Sequence, residues 1–282
     1  MALITLVDNA YTPIAIFNVL FVQYRLDTAA FKRYTSFLDS PEDPHLQNGS
    51  AMASFHGNIM VKQLDFTYSE RQILRGLSLT IAPGEKIALA GSSGSGKSTL
   101  VKLLAGLLKP DRGQILVDNQ ELRCVKLDDY YRHIAYIPQE SPVFDSTLRE
   151  NLIFDSTLPD ADLIRALEKV QLLKWFQGLE DGLDTQLGER GVRLSGGERQ
   201  RLALARLWFS DARLIILDES TSAMDNLTEE LVMKEVLALA DGRNIIAIAH
   251  RLNSVRAFDR IILLRNGEIV KDGSFEELAP IC

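Results

Sequence analysis

The chain has 282 residues, 46% hydrophobic and 24% charged, a balance that suits one large or two modest folded domains and argues against a fibrous or disordered protein. A formal net charge of −7 gives no global basic field, so no nucleic-acid partner is expected. The only cysteines, Cys124 and Cys282, stand in unrelated contexts, which speaks against a disulfide framework or a cysteine metal site and fits a reducing, cytosolic setting.

Residues 1–23 are apolar but interrupted by Asp8, Asn9 and Pro13. No basic residue precedes Arg25, unlike the start of a signal peptide. The interruptions also spoil a clean match to the roughly 20 apolar residues of a spanning helix. The stretch reads as the tail of a membrane or juxtamembrane helix, the other reading being an amphipathic helix packed on a soluble domain. From Tyr24 onward, Leu26, Ala29, Ala30, Phe31, Tyr34, Phe37 and Leu38 have helical spacing. Arg25, Lys32 and Arg33 follow the apolar stretch, as expected at a cytosolic membrane face. Asp39-Ser-Pro-Glu-Asp-Pro44 is a breaker. Residues 1–50 are therefore read as the end of a transmembrane domain, a helical extension and a linker, and 51–282 as a separate folded domain.

In that domain, strands are predicted at 59–66, 77–81, 86–90, 115–117, 134–137, 214–217, 245–249 and 261–264, and helices at 147–154, 160–173, 196–209 and 228–240. Asn266-Gly267 between two apolar runs predicts a two-residue hairpin turn. The expectation is an α/β core carrying an all-helical insertion over residues 140–210.

Residues 91–99 read Gly91-Ser92-Ser93-Gly94-Ser95-Gly96-Lys97-Ser98-Thr99, after the apolar run Lys86-Ile-Ala-Leu-Ala90 and before Leu100-Val-Lys-Leu-Leu104. A strand, a glycine-rich turn and a helix start are the context in which this Walker A pattern cradles phosphates. Glycines let the backbone approach a phosphate and adopt positive φ, and the helix amides supply donors for the anion. Lys97 would reach the β- and γ-phosphates and Ser98 would ligate Mg²⁺. Further on, Leu194-Ser195-Gly196-Gly197-Glu198 opens another helix, with Ser195 a suitable N-cap and the first-turn amides exposed. Leu214-Ile-Ile-Leu-Asp218-Glu219 is an apolar strand ending in two carboxylates. A buried parallel strand delivers its last residues to the ligand-binding edge of the sheet. There Asp218 can hold Mg²⁺ and Glu219 can act as general base toward water.

Over residues 58–278 the sequence resembles the nucleotide-binding domain of an ABC transporter. Leu194 to Glu198 is similar to that family's signature motif and Leu214 to Glu219 to its Walker B motif. The resemblance implies a P-loop NTPase core with a parallel sheet, an antiparallel β subdomain and a helical subdomain. It also implies that Gln139, in Ile137-Pro-Gln-Glu140, is the Q-loop glutamine near Mg²⁺ or water, facing the membrane domain. Ser222-Ala-Met-Asp225 matches the D-loop, with Met224 where leucine is commoner, and puts Asp225 at the nucleotide site. His250, in Ile248-Ala-His-Arg251, matches the switch histidine at the γ-phosphate, and Tyr68 the aromatic stacked on adenine. Taken singly, Gln139, His250 and Tyr68 read as a buried glutamine, a strand-end histidine and a core tyrosine; their register with the stronger motifs gives them weight.

Thr185-Gln-Leu-Gly-Glu-Arg-Gly191 is similar to a loop that exporters of the family carry before the signature, and the N-terminal stretch resembles the end of an exporter's last membrane helix. The resemblance thus implies the C-terminal part of a half-transporter that binds and hydrolyses ATP with Mg²⁺. Its implied partners are a transmembrane domain and a second nucleotide-binding domain, as homodimer or heterodimer, with this domain on the cytoplasmic face of the cell membrane. The alternative is a soluble, non-transport ABC ATPase. Independently of the family, one chain holds two anion-binding helix starts, at Gly96 and Ser195, but a single acidic strand end. A head-to-tail pair, one chain's Walker A against the other's Ser195, resolves this by twofold symmetry.

Overall fold

The computed structural model describes residues 2–39, 44–153, 158–188, 191–249 and 255–278. The chain divides into two units, Met1–Pro44 and His45–Cys282. The first is dominated by helix α1, Ala2–Leu38, 37 residues long. At 1.5 Å per residue this is about 55 Å, well beyond the ~30 Å hydrocarbon core of a bilayer. The sequence reading took residues 1–23 as the tail of a membrane or juxtamembrane helix and found helical spacing from Tyr24 onward; the observed helix is a single one that runs through Asp8, Asn9 and Pro13. Pro13 removes one N–H from the ladder, and the helix continues on both sides of it. Within it, residues 13–38 are long and apolar enough to cross a membrane. Phe17 and Phe21 stack on one face with ring centroids 6.3 Å apart, and the Arg25 guanidinium lies 6.0 Å from the Phe21 ring. A short helical turn, α2, follows at Pro44–Gln47.

The second unit begins with a meander of β1 (Ile59–Tyr68) and β2 (Arg71–Ile81), joined later by β4 (Arg112–Val117) and β5 (Gln120–Glu121) in an antiparallel sheet of order β2-β1-β4-β5. The second sheet contains β3 (Lys86–Ala90), β6 (Ile134–Ile137), β7 (Leu214–Leu217), β8 (Asn244–Ile248), β9 (Arg260–Arg265) and β10 (Glu268–Gly273), in the order β10-β9-β3-β8-β7-β6. Its strands are parallel except β10, which returns antiparallel through Asn266 (φ 51) and Gly267 (φ 83), the paired positive φ of the predicted hairpin turn.

Strand alternation builds two cores on opposite faces of this sheet. Ile87, Leu89, Leu214, Ile216, Ile246 and Ile248 face one core, shared with helix α3 (Lys97–Leu104) and the antiparallel sheet. Ala88, Ile215, Leu217, Ile245 and Ala247 face the other, shared with the helices. Four of those helices, α5 (Leu148–Leu152), α6 (Asp160–Lys169), α7 (Leu173–Phe176) and α8 (Gly196–Ala205), lie between β6 and β7, as the predicted insertion requires, and α9 (Asn226–Leu239) contributes Val232, Met233, Val236 and Leu237. Helix α4 (Leu127–Tyr131) precedes β6, and α9 joins β7 to β8.

Several elements differ from the sequence reading: β4 starts at Arg112, the helix read over 196–209 ends at Ala205, and β5 and α4 were not predicted. The helix predicted over 160–173 ends early, because Gln171 adopts φ 59. Its N–H bonds the Glu168 carbonyl, and Leu172 N–H reaches the Leu167 carbonyl at 2.8 Å. This is a Schellman cap with glutamine in the place glycine usually takes. Strand β2 starts at Arg71 rather than Leu77, since its first half alternates poorly and instead pairs β1 through register shifts.

Candidate functional site

The loop 91–96 leaves β3 and enters α3 at the carboxyl edge of the parallel sheet, the ligand-binding edge of open α/β folds. Leu100, Val101, Leu103 and Leu104 of α3 are fully buried, each contributing at most about 1.5–3 kcal/mol, so the loop rests on a fixed base. Its glycines do different work. A Cβ on Gly91 (φ 143) would come 2.2 Å from the Leu264 carbonyl oxygen of β9, and one on Gly96 2.6 Å from Leu74, whereas nothing lies within 4 Å at Gly94 (φ 77). Ser92, Ser93 and Gly94 are the exposed tip.

Lys97 is only 4% exposed and donates to the carbonyls of Gly91 at 2.9 Å and Ser92 at 3.0 Å. Burial lowers its pKa from the usual lysine value, opposed by the carboxylates of Glu219 and Asp218. The lysine and both acids therefore share one electrostatic neighbourhood. Ser98 is half-buried and Thr99 buried in the first turn of α3.

Asp218 and Glu219 follow β7. Asp218 is 4% exposed; its Oδ2 accepts from the Tyr136 hydroxyl at 2.8 Å, while Oδ1 has no hydrogen-bond partner among the described residues. Glu219 has φ 52, a left-handed backbone that costs a non-glycine residue on the order of 1–3 kcal/mol and recurs at functional sites. Gln139, just beyond β6, donates through Nε2 to Glu219 Oε2 at 2.9 Å. Parallel pairing of β6 with β7 brings these residues together although they are eighty positions apart.

These residues fit a phosphate chain with a divalent cation. Helix α3 starts at Gly96 with no side-chain cap, so first-turn amides remain for an anion. Ser95 Oγ is buried without a partner among the described residues. Asp218 Oδ1 supplies a hard oxygen of the kind Mg²⁺ takes. By contrast, the starts of α5, α8 and α9 are closed by Thr147, Ser195 and Asp225.

Ser195 and Glu198 form a full capping box on α8, the serine hydroxyl accepting from Glu198 N–H at 3.3 Å and the glutamate from Ser195 N–H at 2.7 Å. Gly196 and Gly197 pack against Ala223, whose carbonyl oxygen would lie 3.0 Å from a Cβ on Gly197. Asp225 caps α9, accepting from Thr228 N–H at 3.0 Å, and hydrogen bonds from Thr228 lower its pKa. Tyr68 closes β1 on the antiparallel sheet, 45% exposed, its ring edge-on to Phe66 at 4.8 Å; that exposure does not suit a core tyrosine. His250 lies outside the described residues, as do Glu189 and Arg190 of the loop before the signature. Ala249 N–H bonds the Leu89 carbonyl, so β8 ends beside β3.

Sequence reasoning missed Tyr136 and Gln200. Gln200, 5% exposed, donates to Ser222 Oγ at 3.0 Å and accepts from Ala223 N–H at 2.9 Å. Neither residue belongs to a motif. The signal for Tyr136 was its two-residue offset from the strand end beside Asp218, visible only once β6 and β7 are known to be neighbours.

The fold and the site define a P-loop nucleoside-triphosphate-binding domain. A family model described as "ABC transporter" matches residues 74–222, and the chain belongs to the ABC transporter family, of which this is the ATP-binding domain. It is 41% identical over 246 residues to an ATP-dependent lipid A-core flippase of Burkholderia thailandensis, covering 86% of this chain and 41% of that protein. It is 36% identical over 248 residues to the heterocyst differentiation ATP-binding protein HepA of a Nostoc species, covering 86% of this chain and 40% of the relative. The chain thus spans about two fifths of the length of these relatives. Among solved structures, a bacterial Atm1-family ABC exporter with ATP bound superimposes with a TM-score of 0.78 at 28% identity, covering 96% of this chain and 49% of that one.

Proposed function

We propose that the chain is the ATP-hydrolysing part of a membrane exporter, coupling ATP-driven pairing of two such domains to transport. The observation that carries the catalytic reading is the convergence of Lys97, Asp218, Glu219 and Gln139 at one sheet edge, with Gln139 bonded to Glu219. The loop amides and Lys97 bind the phosphates. Ser98, Asp218 and Gln139 hold Mg²⁺, which when bound neutralises charge on the phosphate oxygens. Glu219 takes a proton from the attacking water as the water oxygen bonds the γ-phosphorus and the bond to the β-phosphate bridge breaks. Gln139 orients that water, and His250 contacts the γ-phosphate.

Helix α3 packs on β2 and β8, whereas α8 packs on α5 and α6, so the helix starts at Gly96 and Ser195 belong to different subdomains. That placement supports sharing between two chains: Ser195, Gly196, Gly197 and Asp225 of one closing on the ATP of the other, with Tyr68 stacked on adenine. The Pro13–Leu38 segment supports a membrane anchor in residues 1–50, with residues 51–282 on the cytoplasmic face. The rival reading, a soluble ABC ATPase that transports nothing, draws no support from the relatives above. Replacing Glu219 with Gln keeps shape and removes the base; turnover should fall by roughly 10²–10⁴ with ATP binding retained, and near-normal turnover would remove Glu219 from the role of base.

A further inference from the structure

We propose that Tyr136 is a positioning residue for the divalent cation, its hydroxyl fixing the Asp218 carboxylate so that one oxygen is occupied and the other is kept for the metal. The inference rests on the reading of Asp218 as a metal ligand. The last torsion of an aspartate is intrinsically broad and roughly two-fold, so a hydrogen bond to one oxygen helps to fix which oxygen faces where. Here Oδ2 accepts from Tyr136 Oη at 2.8 Å, and Oδ1 alone has no partner among the described residues. A single hydrogen bond thus decides which oxygen remains for a cation.

The topology explains the meeting. Tyr136 pairs in register with Ile216, and Asp218 lies two residues further on, just past the end of β7, where strand alternation puts it on the same face. A purely structural tie between β6 and β7 is the competing account. Those strands are already joined over Ile134–Ile137 and Leu214–Leu217, and Asp218 N–H itself bonds the Ile137 carbonyl at 2.9 Å. The hydroxyl is therefore surplus to the ladder, and its one described hydrogen bond is to Asp218. Outer groups that orient a metal ligand typically change metal affinity by about 10–100-fold when removed.

The test uses the full chain in detergent and a fluorescent, non-hydrolysable ATP analogue, titrated with MgCl₂ after removal of divalent ions. In Tyr136→Phe, metal-free binding of the analogue should be unchanged while the Mg²⁺ half-saturation rises by about 10–100-fold. Tyr136→Met, also lacking the hydroxyl, should give the same shift, which covers a Phe variant that folds poorly. In an Asp218→Asn background, Tyr136→Phe should produce no further change, because the hydroxyl acts through that carboxylate. An unchanged Mg²⁺ half-saturation in Tyr136→Phe, with Asp218→Asn weakened, would overturn the proposal and leave the role of Asp218 intact. An Asp218→Asn variant with normal Mg²⁺ dependence would remove the metal reading itself. Equal loss of metal-free and Mg²⁺-dependent binding in Tyr136→Phe would mark a structural role and also overturn the proposal.

Discussion

Gly91 and Gly94 lie three residues apart in one loop, both at positive φ, and alanine should be tolerated very differently at each. A left-handed backbone costs an L-residue roughly 1–2 kcal/mol, a charge common to both substitutions. At Gly94 nothing lies within 4 Å of a new Cβ, so Gly94→Ala should cost about that and no more. At Gly91 the Cβ would lie 2.2 Å from the Leu264 carbonyl oxygen and 2.9 Å from Ser95 Oγ. Leu264 is held by pairing of β9 with β10 through Ile269, so its carbonyl retreats only by disturbing a ladder. Overpacking of that kind adds about 1–3 kcal/mol, giving roughly 2–5 kcal/mol for Gly91→Ala. At about 2–4 °C per kcal/mol for a domain of this size, calorimetry should show a small fall in melting temperature for Gly94→Ala and a fall about twice as large or more for Gly91→Ala. Equal losses, or the reverse order, would refute the assignment of a packing role to Gly91 and an open tip to Gly94.

If Tyr68 stacks on adenine, Tyr68→Ala should weaken ATP binding by about 1–3 kcal/mol in a titration and Tyr68→Trp should keep it; unfolding of Tyr68→Ala would instead show that its contact with Phe66 is structural. Lys97→Ala and Ser195→Arg chains should each be inactive alone, and mixing them should recover ATPase activity if one intact shared site suffices; no recovery would favour a signature acting within its own chain. The full chain should partition into membranes or detergent whereas a chain beginning at Ala51 stays in aqueous buffer and binds MgATP, and a monodisperse full chain without detergent would contradict the membrane reading of α1.

What was legible in the sequence was local. The turn after β3 needs glycine at fixed offsets, and the four-residue apolar run before Asp218 can only be a buried strand or helix segment, so both were readable from spacing. The early stop at Gln171 was not, because a glutamine in the left-handed region is dictated by burial of Leu167 and Leu172 on either side of the cap, a tertiary demand that overrides its own preference. Helix was legible on both sides of Tyr24, but not that it runs as one piece from Ala2 to Leu38, because Asp8, Asn9 and Pro13 interrupt the apolar pattern. Tyr136 and Gln200 were illegible for a topological reason. Each acts on a residue contributed by another strand or loop, and nothing in the spacing of a single chain says which strands are neighbours.

The hydrogen bonds around Gln200 also rank the connections between the helical insertion and the core. Its bonds to Ser222 and Ala223, at 3.0 and 2.9 Å, are of ordinary length, while Nε2 lies 3.5 Å from the Gln139 carbonyl, at the limit of a useful bond. Breaking the first two would strand a buried amide, at about 1–3 kcal/mol for each group left unpaired, whereas losing the last costs little. Gly197 packed against the Ala223 carbonyl adds contact to the same junction. Helix α8 and the segment 222–225 are therefore fastened to each other. Arg206, after α8, donates to the carbonyls of Asn151 at 2.8 Å and Pro142 at 3.0 Å, which fastens the chain downstream of Gln139 to the same helices. Upstream, Gln139 emerges from β6 and its side chain is bonded to Glu219. Gln139 lies between these two regions, its side chain bonded to Glu219 and its carbonyl held, among the described residues, only by the long contact with Gln200.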